Sequence, residues 1–215
     1  MKNEIGYFAL GFLAQGLFSA RMLIQWVLSE KAKKVVSPTI YWQLSLLASI
    51  LFSIYGWLRG DFVIILGQIF SYYIYIWNLN SKQNWKTINP VIRLFIVLLP
   101  VAALIYVFAN KGLATDRLFS NISIWFLLFG SAGQIIFTFR FIYQWWCSKS
   151  KGESVLPLTF WVLSIVGSLI TIAYAIFRKD PVLLIGQSFG FITYSRNVWL
   201  IIRNRNEDKP NIKTQ

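Results

Sequence analysis

Seven stretches of the chain are apolar for long enough to cross a hydrocarbon core of about 30 Å: residues 5–28, 39–58, 62–80, 91–109, 122–147, 158–177 and 182–202. Each predicts a membrane-spanning helix. The polar positions inside these stretches are not scattered. Projected at about 100° per residue, Gly11, Gln15, Phe18, Arg21, Gln25, Trp26 and Ser29 of the first helix fall within an arc of about 140°, and the rest of that helix is mostly Leu, Ile, Ala and Val. Asp61, Gly67, Gln68, Tyr75 and Asn78 share a face of about 120° on the third helix, and so do Asp180, Gly186, Gln187, Tyr194 and Asn197 on the last. Such stripes face the interior of a bundle, away from lipid.

These stripes recur because the chain repeats itself. Shifting residues 11–78 by 119 positions places them on residues 130–197 without a gap, and 22 of the 68 pairs are identical. RMLIQWVLS (Arg21 to Ser29) meets RFIYQWWCS (Arg140 to Ser148), and RGDFVIILGQ (Arg59 to Gln68) meets RKDPVLLIGQ (Arg178 to Gln187). A period this long marks a duplicated domain rather than a solenoid. The plan is an all-α membrane protein of seven transmembrane helices: a three-helix repeat at 5–80, a linker at 81–121 carrying a fourth helix with Pro100, a second repeat at 122–202, and a polar tail at 203–215, expected to be disordered. Three spans alone would invert a directly joined copy. The fourth restores its orientation, so the repeats are expected to be parallel, about an axis along the membrane normal.

Composition agrees with a bilayer. Hydrophobic residues make up 56% and charged residues 13%, and mean hydropathy is +0.56. No segment reads as a cleaved signal peptide, because the first helix outruns an h-region and opens the repeat itself. The net charge of +13 is read as loop charge rather than as a nucleic-acid surface. With the N-terminus outside, the inner segments hold twelve Lys and Arg and the outer segments six, which favours an outside N-terminus and a cytoplasmic C-terminus. The basic loops Ser29 to Pro38 and Ser148 to Pro157 lie inside, where they set topology or attract anionic headgroups. There is no histidine and one cysteine, Cys147, which removes His-ligated metals, Ser-His-Asp triads and an internal disulfide. No metal site, cofactor motif or nucleophile–base set stands in the chain, so catalysis by it alone is not expected.

The candidate chemistry lies in the duplicated polar residues. Arg21 and Arg140 each lie about seven residues, roughly 10 Å, from the inner end of their helices, with Gln25 and Gln144 one turn later. A guanidinium fork suits phosphate or carboxylate; the alternative is snorkelling to inner headgroups. Arg196, at similar depth, is a further candidate phosphate contact. Gln68, Gln187, Asn78, Asn197, Tyr75 and Tyr194, with Trp42 and Trp161 as stacking faces, would hydrogen-bond sugar hydroxyls, or else tie the helices together. Gly67 and Gly186 read as close-packing positions. Asp61 and Asp180 read as helix N-caps in a local ion pair with Arg59 and Arg178, the alternative being an outer gate. Pro38 and Pro157 fit the first turn of the second helix of each repeat.

The pattern Q-x-x-F-S-x-R-x-x-x-Q-W-x-x-S-E-K (Gln15 to Lys31), with S-P-x-x-Y-W-x-x-S (Ser37 to Ser45), Y-x-x-x-R-x-D-x-x-x-x-x-G-Q (Tyr55 to Gln68) and Y-x-x-N (Tyr75 to Asn78), resembles the lipid A biosynthesis N-terminal domain family. The second half fits it as well, ending Y-S-R-N (Tyr194 to Asn197). The resemblance implies a bacterial inner-membrane protein of lipid A or lipid-linked sugar metabolism. Its ligand would be an anionic glycolipid or a polyprenyl phosphate, and a membrane glycosyltransferase its partner. The chain offers no room for a soluble glycosyltransferase domain, so synthase activity is not carried over. The three-one-three plan also resembles the SWEET and PQ-loop superfamily, although Pro38 and Pro157 are followed by Thr39 and Leu158 and not by Gln. Three functions follow: translocation of an anionic glycolipid, an accessory role beside a glycosyltransferase, and export of a small sugar.

Overall fold

The computed structural model describes residues 2–83, 85–109 and 123–207, and is all-helical over them. The helices are α1 (Lys2–Ala32), α2 (Thr39–Arg59), α3 (Phe62–Ser81), α4 (Pro90–Ala109), α5 (Ile124–Lys151), α6 (Leu158–Arg178) and α7 (Pro181–Glu207). Each covers one of the apolar stretches to within a few residues. The rest of the linker, 110–122, and the tail from 208 lie outside the described residues. The segment read as a polar tail opens as helix: α7 continues to Glu207, its last turn carries Arg205, and Asn204 Nδ2 donates to the Lys33 carbonyl. Cations at a helix C-terminus are favoured by the macrodipole.

Among the described residues five helices, α1, α2, α3, α5 and α6, are long and apolar enough to cross a membrane. In α4 the apolar run spans Pro90–Ala103 among the described side chains. The 27 residues of α7 are ample in length, but Gln187, Thr193, Ser195, Arg196 and Asn197 dilute its apolar character. Its most polar face is turned inward, with Thr193 and Asn197 buried.

Six helices close a ring in the order α1, α2, α3, α5, α6, α7, with α7 returning to α1. Outside it, α4 is held by Tyr72 and Tyr73 of α3, whose hydroxyls donate to the Ile96 and Val97 carbonyls at 2.8 and 3.2 Å. Leu, Ile, Val and Phe cover the outer surface, whereas buried positions are rich in Ser, Gln, Tyr and Arg. Without water there is little hydrophobic force between helices, so association in lipid relies on close packing and internal hydrogen bonds.

Two local devices repeat at the spacing of 119. The first is a turn that folds α2 onto α3 and α6 onto α7. The chain passes through the left-handed region at Gly60 (φ 66°) and Lys179 (φ 49°). The next residue's N–H donates back to the Gly56 carbonyl (2.9 Å) and the Ala175 carbonyl (3.0 Å), which closes the helix end. That next residue is Asp61 or Asp180, whose carboxylate caps the following helix by accepting from Val63 and Ile64, or from Val182 and Leu183. Pro38 and Pro157 stand one residue ahead of their helices, at the N-cap (φ −72° in both).

The second device is a glycine that admits an aromatic ring. A Cβ at Gly11 would lie 2.8 Å from the Tyr55 ring, and one at Gly130 2.6 Å from the Tyr174 ring. Both tyrosines are fully buried and their hydroxyls are held by aspartates. Gly130→Ala should therefore lower thermal stability in detergent by about 1–3 kcal/mol, the usual cost of overpacking. Gly16→Ala, where nothing lies within 4 Å, should be neutral or stabilising by up to about 1 kcal/mol. Equal melting temperatures for the two variants would contradict this packing.

Candidate functional site

The interior is layered. At the end where α2 turns into α3 and α6 into α7, two carboxylates are shared across the repeats. Asp61 accepts from Tyr174 Oη (3.1 Å) and forms an ion pair with Arg178 (Nε–Oδ2, 3.3 Å), both from α6. Asp180 accepts from Tyr55 Oη (2.9 Å) and pairs with Arg59 (3.5 Å), both from α2. A further bond runs from Arg59 Nη2 to the Arg178 carbonyl (3.3 Å). The N-caps are as expected, but the ion pairs are not local: each aspartate pairs with the other repeat's arginine. Capping directs each carboxylate at its own helix end, and that end faces the opposite repeat. Burial pushes the Asp61 carboxyl, in the turn between two spans, above its ordinary pKa despite Arg178.

Below this layer lies a cavity of about 60 Å³, lined at its polar points by Gln15, Arg21, Gln68, Gln134, Arg140 and Gln187. Its waist is set by glutamine laid on glycine. A Cβ at Gly67 would lie 2.0 Å from Gln134 Oε1, and one at Gly186 2.2 Å from Gln15 Oε1. Those positions thus serve close packing, and each contact joins the two repeats.

Both arginines face the cavity and are buried, 3% and 4% exposed. Arg21 Nη1 donates to Ser45 Oγ, and Arg140 Nη1 to Ser164 Oγ (2.7 Å). Aromatic faces surround the guanidinium carbons: Phe18 at 4.5 Å and Tyr41 at 4.9 Å for Arg21, Phe137 at 4.2 Å and Phe141 at 4.6 Å for Arg140. Both Nε atoms, and the Oε1 atoms of Gln68 and Gln187, are buried without a hydrogen-bond partner. No carboxylate pairs with either arginine among the described residues. Cation–π contacts attract a guanidinium but leave its charge in place.

The third layer, towards the basic loops, is a seal of amides. Gln25 and Asn197 exchange hydrogen bonds at 3.1 and 3.3 Å, and Gln144 and Asn78 at 3.1 and 3.2 Å. Gln25 and Gln144 also donate to Ser29 and Ser148, which tie the loop backbone at Val36 and Val155.

The predicted residues thus separate by depth. Arg21, Arg140, Gln68, Gln187, Tyr75 and Tyr194 line the cavity. Trp42 and Trp161 stand behind Tyr75 and Tyr194, each 6.1 Å away ring to ring. Gln25, Gln144, Asn78 and Asn197 are taken up by one another. Arg196 pairs with Glu30 and lies 4.0 Å over Trp199, apart from the cavity. Gln15, Gln134, Ser45 and Ser164 were not singled out as site residues, although each is identical in its repeat partner, which was the available signal.

Fold and site define a helical membrane protein whose two related halves enclose a cationic cavity. The Lipid A Biosynthesis N-terminal domain matches residues 10–80 and 129–199, and the chain belongs to that family. It is similar to the lipid-A-disaccharide synthase of Chlamydia pneumoniae (28% identity over 92% of this chain and 34% of the relative). Proteins of the same name in Chlamydia muridarum (27%, over 94% and 35%) and Chlamydia trachomatis serovar D (26%, over 94% and 35%) are also similar. The chain spans about a third of the length of these curated relatives. No solved structure matches it.

A double-mutant cycle tests the exchanged ion pairs. In thermal unfolding, Asp61→Asn and Arg178→Gln should couple by about 1 kcal/mol or more, and Asp61→Asn and Arg59→Gln by much less. Stronger coupling within the repeat would restore the local pair.

Proposed function

We propose that this protein binds an anionic glycolipid or polyprenyl-phosphate-linked intermediate of lipid A metabolism in the inner membrane and moves its head group across the bilayer. One observation carries the reading: two buried arginines, one from each repeat, face a shared cavity with no carboxylate beside them among the described residues. Removing the partner of a buried charge typically costs about 3–5 kcal/mol, so an uncompensated pair favours an anion between them. The family supports the pathway.

A side-chain network lies at each end of the cavity, the ionic latch of Asp61, Asp180, Arg59 and Arg178 at one and the amides of Gln25, Gln144, Asn78 and Asn197 at the other. Translocation follows if one three-helix repeat, about 5–80, rocks against the other, about 122–202, and opens one layer at a time. In this reading the protein spans the membrane seven times, with the N-terminus outside and the basic loops in the cytoplasm. Asp61 and Asp180 form the outer gate.

A second reading has its own support. In the Chlamydia relatives the matching region is about a third of a chain named lipid-A-disaccharide synthase. An accessory that presents the lipid substrate to a glycosyltransferase would use the same anion site and depend equally on the basic loops.

Native mass spectrometry of protein purified in mild detergent tests the proposal. The wild type should carry a phosphorylated polyprenyl or lipid A species, and Arg21→Ala with Arg140→Ala should reduce its occupancy by about tenfold or more, with yield and melting temperature maintained. Arg→Lys at both sites should restore it only in part, because an ammonium lacks the bidentate fork. Bulk phospholipid alone, unchanged by the mutations, would refute the site.

A further inference from the structure

The charge count of the cavity goes further than an anion site, and rests on that reading. Among the described residues the lining holds two guanidinium groups, Arg21 and Arg140, and no Asp or Glu. The lining also carries the hydroxyls of Tyr75 and Tyr194. Tyr41 lies against Arg21, and the carboxylates of Asp61 and Asp180 are engaged by Arg178 and Arg59. The enclosed charge to be balanced is therefore two.

The geometry also limits how it is balanced. A cavity of about 60 Å³, at about 10–15 Å³ per water, has room for about four to six water-sized groups, enough for one tetrahedral phosphate between the arginines. The Nε–H of each arginine and the Oε1 of Gln68 and Gln187, four buried atoms on residues of the lining, have no hydrogen-bond partner in the described structure. An amide can present either its oxygen or its nitrogen, so both glutamines can meet phosphate oxygens or hydroxyls.

We infer that the site is built for a single dianionic phosphate, a phosphomonoester shared by Arg21 and Arg140, and that it discriminates against singly charged phosphodiesters and carboxylates. A phosphomonoester carries a charge of about −1.5 to −2 at neutral pH. A phosphodiester carries one charge and leaves one buried guanidinium uncompensated. The bulk lipid heads of this second kind are thereby excluded from a cavity they surround in excess. The phosphomonoester can belong to a lipid head, a free polyprenyl phosphate or a phosphorylated glycolipid, or to a soluble sugar phosphate. A sugar joined to polyprenyl through a single phosphate is a monoanionic diester and falls outside the proposed ligand class.

The test uses the full chain in nanodiscs of zwitterionic lipid at pH 8, with melting temperature and calorimetry as readouts. Methyl phosphate should bind, and dimethyl phosphate and acetate should bind at least about tenfold more weakly. Arg21→Gln should cut methyl phosphate affinity and abolish the preference over dimethyl phosphate, since one remaining charge is satisfied by a monoanion. Arg140→Gln should do the same, so the test stands if either variant fails to fold. Phosphatidic acid, a lipid monoester, then identifies the source. Displacement of methyl phosphate by phosphatidic acid but not by phosphatidylglycerol supports a lipid monoester, and displacement by neither supports a soluble one. Equal affinity for methyl and dimethyl phosphate would overturn the inference while leaving an anion site. No binding of any phosphate or carboxylate probe would overturn both.

Discussion

Two halves of a helical protein in lipid cannot be held together by the hydrophobic effect, because acyl chains are as apolar as the residues they would replace. The structure answers with polar residues exchanged between the repeats. Asp61 meets Tyr174 and Arg178 while Asp180 meets Tyr55 and Arg59. Gln134 lies on Gly67 while Gln15 lies on Gly186, and Gln144 pairs with Asn78 while Gln25 pairs with Asn197. Each contact is made twice, which is why these residues persist in both copies. The cavity is what remains between the top and bottom of this ladder.

Departures from symmetry are informative. Ser37 of the first repeat becomes Leu156 in the second, and Val35 becomes Ser154. One side therefore carries a chain from Trp42 Nε1 to Ser37, on to Ser154 and to Asn78 Oδ1, at 2.9, 2.9 and 2.8 Å. On the other side Trp161 Nε1 has no acceptor. The arginine surroundings differ as well: Tyr41 and Met22 beside Arg21 become Phe160 and Phe141 beside Arg140. The two half-sites are thus unequal, and an asymmetric ligand would meet them in one preferred orientation.

The layers differ in chemistry, and so in how they would open. The layer at the α2–α3 and α6–α7 turns is ionic, with partly buried arginines facing buried carboxylates. The layer above the basic loops is neutral, made of amides and hydroxyls. Salt and pH act on the first far more than on the second, because only charged groups respond strongly to screening and protonation. An anion between the layers would be released by breaking one without disturbing the other.

The sequence by itself determined the helices, since runs of this length leave the backbone no alternative in a bilayer, and it determined the inward stripes, because a period of about 3.6 residues assigns each side chain a face. It also marked the duplication. What only the tertiary structure decided is partnership. A stripe says that Asp61 and Asn78 point inward, and says nothing of which residue stands opposite. Hence Arg178 rather than the nearby Arg59 pairs with Asp61, Gln25 and Asn197 close on each other instead of lining a path, and Arg196 turns to Glu30. Those choices depend on which helices become neighbours across the ring, and the closing contacts, between α3 and α5 and between α7 and α1, join residues too far apart along the chain for periodicity to relate them.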